Sequence, residues 1–153
     1  MPKVSNFNGY RVVDRRVASR VAHIFLRHPL VKRVELFGSV AREGTGSDLD
    51  LTLIMETELY LEYFSLCLNE LSQCFEDIYS AARVRLKVAA EIFGDSFALV
   101  LATAERLAPP QCLDIFVFPP DWRNQLDFLQ NSFVHKDPNF MYNIAKDSIV
   151  LAP

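Results

Sequence analysis

Gly38 and Ser39 stand where an apolar run, Val34 to Phe37, gives way to Val40-Ala41-Arg42, and Asp48 and Asp50 follow at the head of a second apolar run. The first pair suits phosphate. Glycine lets a ligand approach the main chain closely, the first turn of a helix attracts anions, and the Ser39 hydroxyl can donate to a phosphate oxygen. Arg42 adds a fixed positive charge nearby. The second pair suits a cation. Side chains at alternate strand positions share a face, so Asp48 and Asp50 project together and repel unless a cation lies between them. Hard oxygen ligands of this kind suit Mg2+, which keeps several waters and is commonly completed by substrate phosphates. A third acid, Asp114, interrupts the apolar segment Leu113-Asp114-Ile115-Phe116-Val117-Phe118. If its strand lies beside that of Asp48 and Asp50, the three carboxylates can hold two metals at the spacing used for in-line phosphoryl displacement. Asp114 would also be placed to accept a proton from the attacking hydroxyl.

The elements that must carry these residues are legible in the pattern. Val34–Phe37 reads as a buried strand running into a helix at Val40, Leu49–Met55 as a second strand, and 113–118 as a third, ended by Pro119-Pro120. Val13, Val17, Val21, Ile24 and Phe25 follow helical spacing and predict an amphipathic first helix, packed on the sheet and ending near His28-Pro29. Tyr60, Tyr63, Phe64, Cys67, Leu68, Leu71, Phe75 and Ile78 form an apolar stripe at helical spacing, which core packing explains better than a cofactor box. Residues 80–93 are assigned to a helix on propensity, although Val84-Arg85-Leu86-Lys87-Val88 alternates as a strand would. Phe97–Thr103 is apolar on both faces and bounded by turn signals. It is assigned to a buried strand that turns through 108–111 to pair with the Asp114 strand, a continuing helix being the alternative. Asp121 is the expected N-cap of a helix whose apolar side is Leu126, Phe128, Leu129 and Phe133.

The glycine-serine turn, spacer, Asp-x-Asp strand and later acid resemble the DNA polymerase beta-like nucleotidyltransferase superfamily, with Gly38, Ser39, Asp48, Asp50 and Asp114 each matching a position of that signature. The Gly-Ser-x-Ala-Arg form with a short spacer to Ser-Asp-x-Asp looks most like the minimal nucleotidyltransferase group, which includes partners of HEPN-domain toxins and relatives of antibiotic nucleotidyltransferases. The resemblance implies an α/β (α+β) fold with a small mixed sheet flanked by helices. It also implies roles: Gly38 and Ser39 bind the triphosphate, joined by Arg42 as a phosphate contact, and Asp48 and Asp50 hold Mg2+. Asp114 assists metal binding and deprotonates the acceptor. Residues 143–151 look like the family's closing helix and short strand, with Ser148 where a glycine is usual. The interval from Asp50 to Asp114 is longer than the smallest members require, so an enlarged insert, about 56–111, is expected to decide the acceptor.

With 153 residues, half of them hydrophobic, the chain suits one domain, 1–153, with a substantial core. Its net charge of −3 argues against clamping long nucleic acid by electrostatics. The charge is uneven. Through Glu35, eight basic residues face only Asp14 and Glu35, which a solvated helix face explains somewhat better than a patch for an acidic partner or the triphosphate. Cys67, Cys74 and Cys112 are odd in number and lack Cys-x-x-Cys spacing, as expected of buried free thiols in a reducing compartment. No signal-like apolar segment opens the chain and no run is long enough to span a membrane, so a cytoplasmic protein without membrane partners is expected. Trp122 and Phe37 are expected in the core rather than under a base. His23, His28 and His135 are assigned no catalytic role.

Two functions follow as expectations. The first is a Mg2+-dependent enzyme that transfers a nucleoside monophosphate, foremost AMP from ATP, to a hydroxyl on a protein or small molecule by a two-metal mechanism. The second is an antitoxin-like module of the same fold that mainly docks a partner such as a HEPN-domain protein. The apolar helices of the insert would form the acceptor wall, the docking surface or a homo-oligomer contact.

Overall fold

The computed structural model describes residues 6–7, 10–11, 13–71, 78–108, 112–132 and 137–153. Asn6–Phe7 (β1) and Tyr10–Arg11 (β2) pair antiparallel, and Val13–Asp14 (β3) leads into helix α1, Arg15–Phe25. Val17, Val21, Ile24 and Phe25 are buried at helical spacing, and the Asp14 carboxylate caps the helix by accepting from the Val17 N–H at 3.0 Å. Next come β4 (Val31–Phe37), α2 (Gly38–Glu43), β5 (Thr45–Gly46), which pairs with β3, and β6 (Leu49–Met55). The long connection that follows is helical: α3 (Tyr60–Leu71), α4 (Ile78–Phe93) and α5 (Asp95–Leu107). The chain then enters β7 (Leu113–Phe118), makes a 3-10 turn at Trp122–Asn124, and ends with α6 (Leu126–Ser132), α7 (Phe140–Asp147) and β8 (Ile149–Ala152).

The fold is mixed α/β. Its main sheet has the order β7-β6-β4-β8, with β6 and β7 parallel and the other two pairs antiparallel. A parallel pair needs a long crossover, which the three helices α3 to α5 supply. Strand alternation divides the sheet into two unlike faces. On one face Leu36, Leu51 and Ile115 form a row beside Val34, Leu53 and Val117, all buried, and α1 lies against β4, β6 and β8. Helix α5 packs on α1, with the Phe25 and Phe97 rings 6.2 Å apart. The opposite face carries the rows Phe37, Asp50, Asp114 and Glu35, Thr52, Phe116. Phe140 of α7 contacts the Phe37 and Phe116 rings there, and Trp122 contacts Phe118. The acids thus open onto the end of a face whose remainder combines aromatic rings with the buried Glu35 and Thr52.

The assignment of Phe97–Thr103 to a strand is corrected: these residues lie within α5. Phe97, Leu101, Ala104 and Ala108 are buried at helical spacing while Leu99 is 72% exposed. The segment looked apolar on both faces because α5 touches both α1 and α4, which widens its apolar stripe. No strand from this segment pairs with β7, whose partner is β6. Asp121 makes no side-chain cap and precedes the 3-10 turn rather than a helix, while Trp122 is fully buried. The apolar stripe from Tyr60 divides between α3 and α4, and Phe75, Pro109 to Gln111 and Phe133 lie outside the described residues.

Candidate functional site

The turn from β4 into α2 is built on Gly38, whose φ of +79° suits glycine. Space makes the same demand, because a Cβ at Gly38 would collide with the Asp50 carboxylate oxygen Oδ2. Gly46 similarly gives room to the Ser39 hydroxyl, which a Cβ there would strike. The glycine-serine turn, β5 and the Asp50 strand therefore meet at one place. Arg15 fixes α2 from outside, donating through Nε to the Val40 carbonyl at 3.1 Å and through its terminal nitrogen to the Ala41 carbonyl. These are C-terminal carbonyls of a short helix, which need partners.

Asp50 and Asp114 are paired in the parallel register of β6 and β7, on strands about 4.8 Å apart. Asp48, two residues earlier, lies in the bend just before β6, near enough for its charge to act on Asp50. The carboxylates feel one another. Burial, then Asp114 and Asp48, push the Asp50 carboxyl up to about 8, against the opposing pull of Arg85 and Arg42. Burial and Asp114 also raise Asp48. Among the described residues neither Asp48 nor Asp50 has a side-chain hydrogen bond or ion pair.

Asp114 differs. Arg85, on α4, donates to both its oxygens, at 3.0 Å from Nε and 2.8 Å from the terminal nitrogen. Arg85 is only 5% exposed, and its guanidinium carbon lies 4.3 Å from the centre of the Phe116 ring. Burial opposes its charge, but the Asp114 carboxylate outweighs this and holds its pKa above the ordinary arginine value. Sequence reading missed Arg85. The one available signal was a lone cation on what became the buried side of an alanine-rich helix. Arg42, the expected phosphate contact, makes a single 3.3 Å contact with Asp147 of α7 and is half exposed.

Hard carboxylate oxygens, partly buried and mutually repelling, are the donor chemistry Mg2+ takes, and Asp48 with Asp50 fit one such ion. Asp114 does not fit in the same way, since both its oxygens are engaged. Among the described residues no group of three His, Cys, Asp or Glu side chains is disposed to hold a metal together.

Other polar pairs in the interior have structural explanations. Glu35 is fully buried and bound by Arg123 at 2.7 and 3.2 Å and by Arg33 at 3.0 Å, which ties β4 to the 3-10 turn. His28 accepts from the Leu30 N–H through Nδ1, so Nε2 carries the proton and donates to the Ser96 hydroxyl at 3.2 Å. It therefore cannot serve Ser96 as a base. Cys67 and Cys112 are buried and joined in no disulfide, and Cys74 lies outside the described residues. Among the described residues no helix is long and apolar enough to cross a membrane.

Comparison with protein-family models, curated proteins and solved structures finds no match for this chain.

Proposed function

We propose that the protein is a nucleotidyltransferase of the polymerase beta-like fold, moving a nucleoside monophosphate, foremost AMP from ATP, to a hydroxyl of a protein or small molecule. The observation that carries this reading is the convergence of Gly38, Asp50 and Asp114: a positive-φ glycine with no room for a Cβ beside Asp50, and Asp50 in register with Asp114. Gly38 would let the phosphates reach the backbone and Ser39 would donate to a phosphate oxygen. Arg42, loosely held by Asp147, would exchange that partner for the triphosphate. A divalent cation on Asp48 and Asp50 would neutralise the phosphates and polarise the reacting phosphorus. The acceptor oxygen bonds to the α-phosphorus as the bond to the bridging oxygen breaks, and pyrophosphate leaves. The hydroxyl proton passes to Asp114, whose oxygens each keep a second lone pair beside the one given to Arg85.

Incubation with α-labelled nucleotides, Mg2+ and a lysate of the source cells tests this. Label should appear on an acceptor with wild type and vanish with the Asp48→Ala, Asp50→Ala double variant. Absence of transfer together with unchanged triphosphate affinity in a folded double variant would overturn the proposal.

One observation favours the docking function as a second reading. Leu61 and Leu68, seven residues apart on α3, and Leu99 on α5 are exposed on the connection between β6 and β7. Aspartate at Leu61 and Leu68 should abolish binding of such a partner while leaving nucleotide affinity intact.

A further inference from the structure

We infer that Arg85 stands in for a second metal ion, so that the acid cluster takes one divalent cation, on Asp48 and Asp50, rather than two. The inference rests on the nucleotidyl-transfer reading of the site and specifies its metal content.

A carboxylate that bridges metals must turn its lone pairs toward them. Asp114 gives one lone pair of each oxygen to Arg85 in a two-point contact, the strongest geometry a guanidinium and a carboxylate can adopt. The remaining lone pairs lie within the field of that guanidinium, so a divalent ion placed on them would meet a positive charge at close range in a poorly solvated site. Arg85 cannot readily withdraw. It is almost wholly buried, its guanidinium rests on Phe116, and its helix packs against β7. The contrast with Arg42 is direct, since that guanidinium holds Asp147 by one contact at the surface and is free to change partners.

Charge balance agrees. Three carboxylates and one guanidinium leave two negative charges, which a single divalent ion cancels. Those charges fall on Asp48 and Asp50, the two acids without a side-chain partner among the described residues. Asp114 then lies outside the coordination sphere: its oxygens hold Arg85, and it acts on the metal only as a nearby negative charge. Arg85 itself is held beside Asp114, the register partner of Asp50. It supplies fixed positive charge at the place where a second ion would otherwise be needed.

Titration with Mn2+ alone, read by the paramagnetic resonance signal of the free ion, counts the ions directly and needs no acceptor. Wild type and Arg85→Lys should bind one ion per chain and Arg85→Met two. Asp114→Asn should keep the wild-type count of one ion, held more weakly because a nearby negative charge is gone, but not lost, because Asp114 is not a ligand, and this arm holds even if Arg85→Met does not fold. The double variant Arg85→Met, Asp114→Asn removes both buried charges together and should fold and bind one ion. Two ions on wild type would overturn the inference and leave nucleotidyl transfer standing. A single ion on folded Arg85→Met, or a lost ion on Asp114→Asn, would likewise overturn it alone. No ion on any of these proteins would overturn it and remove the metal from the proposed function as well.

Discussion

Replacing Asp50 by asparagine should stabilise the metal-free protein, and by more as the pH rises. In the folded chain burial and two neighbouring carboxylates lift the Asp50 carboxyl from 3.8 to about 8, whereas unfolding returns it to water. The folded state therefore holds a proton that the unfolded state has lost between those values, so raising the pH favours unfolding across that window. The penalty is absent below about pH 4, grows up to about pH 8 and is constant beyond. Each unit corresponds to 1.36 kcal/mol, which sets a ceiling of about 5–6 kcal/mol. Partial exposure of Asp50 and its coupling to Asp48 and Asp114 bring the expected gain down to about 2–3 kcal/mol at pH 8. For a chain of this size that is a rise in melting temperature on the order of 5–10 °C. Urea unfolding of wild type and Asp50→Asn in chelator at pH 5, 6, 7 and 8 measures it. Mg2+ should narrow the gap by stabilising wild type alone. A difference that does not change with pH, or a variant less stable than wild type at pH 8, would refute the electrostatic account of these acids.

Gly38→Ala should destabilise the fold by about 1–2 kcal/mol from the left-handed backbone alone, and more as Asp50 is displaced, with nucleotide affinity falling too; denaturation and calorimetry read both. Arg123→Met should cost about 3 kcal/mol in chemical denaturation, because it leaves the fully buried Glu35 carboxylate with Arg33 as its one remaining ion-pair partner among the described residues. Glu35→Gln should cost less, since Arg33 and Arg123 are exposed enough to return to water. Burial lowers the pKa of His28, so its contribution to stability is present above pH 6.5 and lost as the pH falls below it. Measured in the Asp50→Asn background, that acid-side loss should disappear in His28→Gln, and its persistence there would assign the loss to another group.

The residues that define the candidate site were legible because their signals are local. Glycine before serine at the end of an apolar run marks a turn, and Asp48 and Asp50 stand two apart at the head of the next apolar run, which keeps them near one another. The α1 stripe was legible for the same reason, since burial at helical spacing depends on near neighbours, whereas the closing helix and strand were expected from the resemblance alone. Phe97–Thr103 failed because a helix packed on two sides loses the polar face by which sequence distinguishes it from a buried strand. The ion pairs at the site and beneath it join residues far apart in the chain. Arg85 meets Asp114 across 29 positions, Arg123 meets Glu35 across 88, and Arg42 meets Asp147 across 105. Nothing in a chain of charged residues states which opposite charges will share a low-dielectric interior. That depends on how α4 docks against β7 and the 3-10 turn against β4, and tertiary packing alone decides it. The sequence thus determined which acids stand near one another along the chain, and the tertiary structure decided which acid of the site already has a cation.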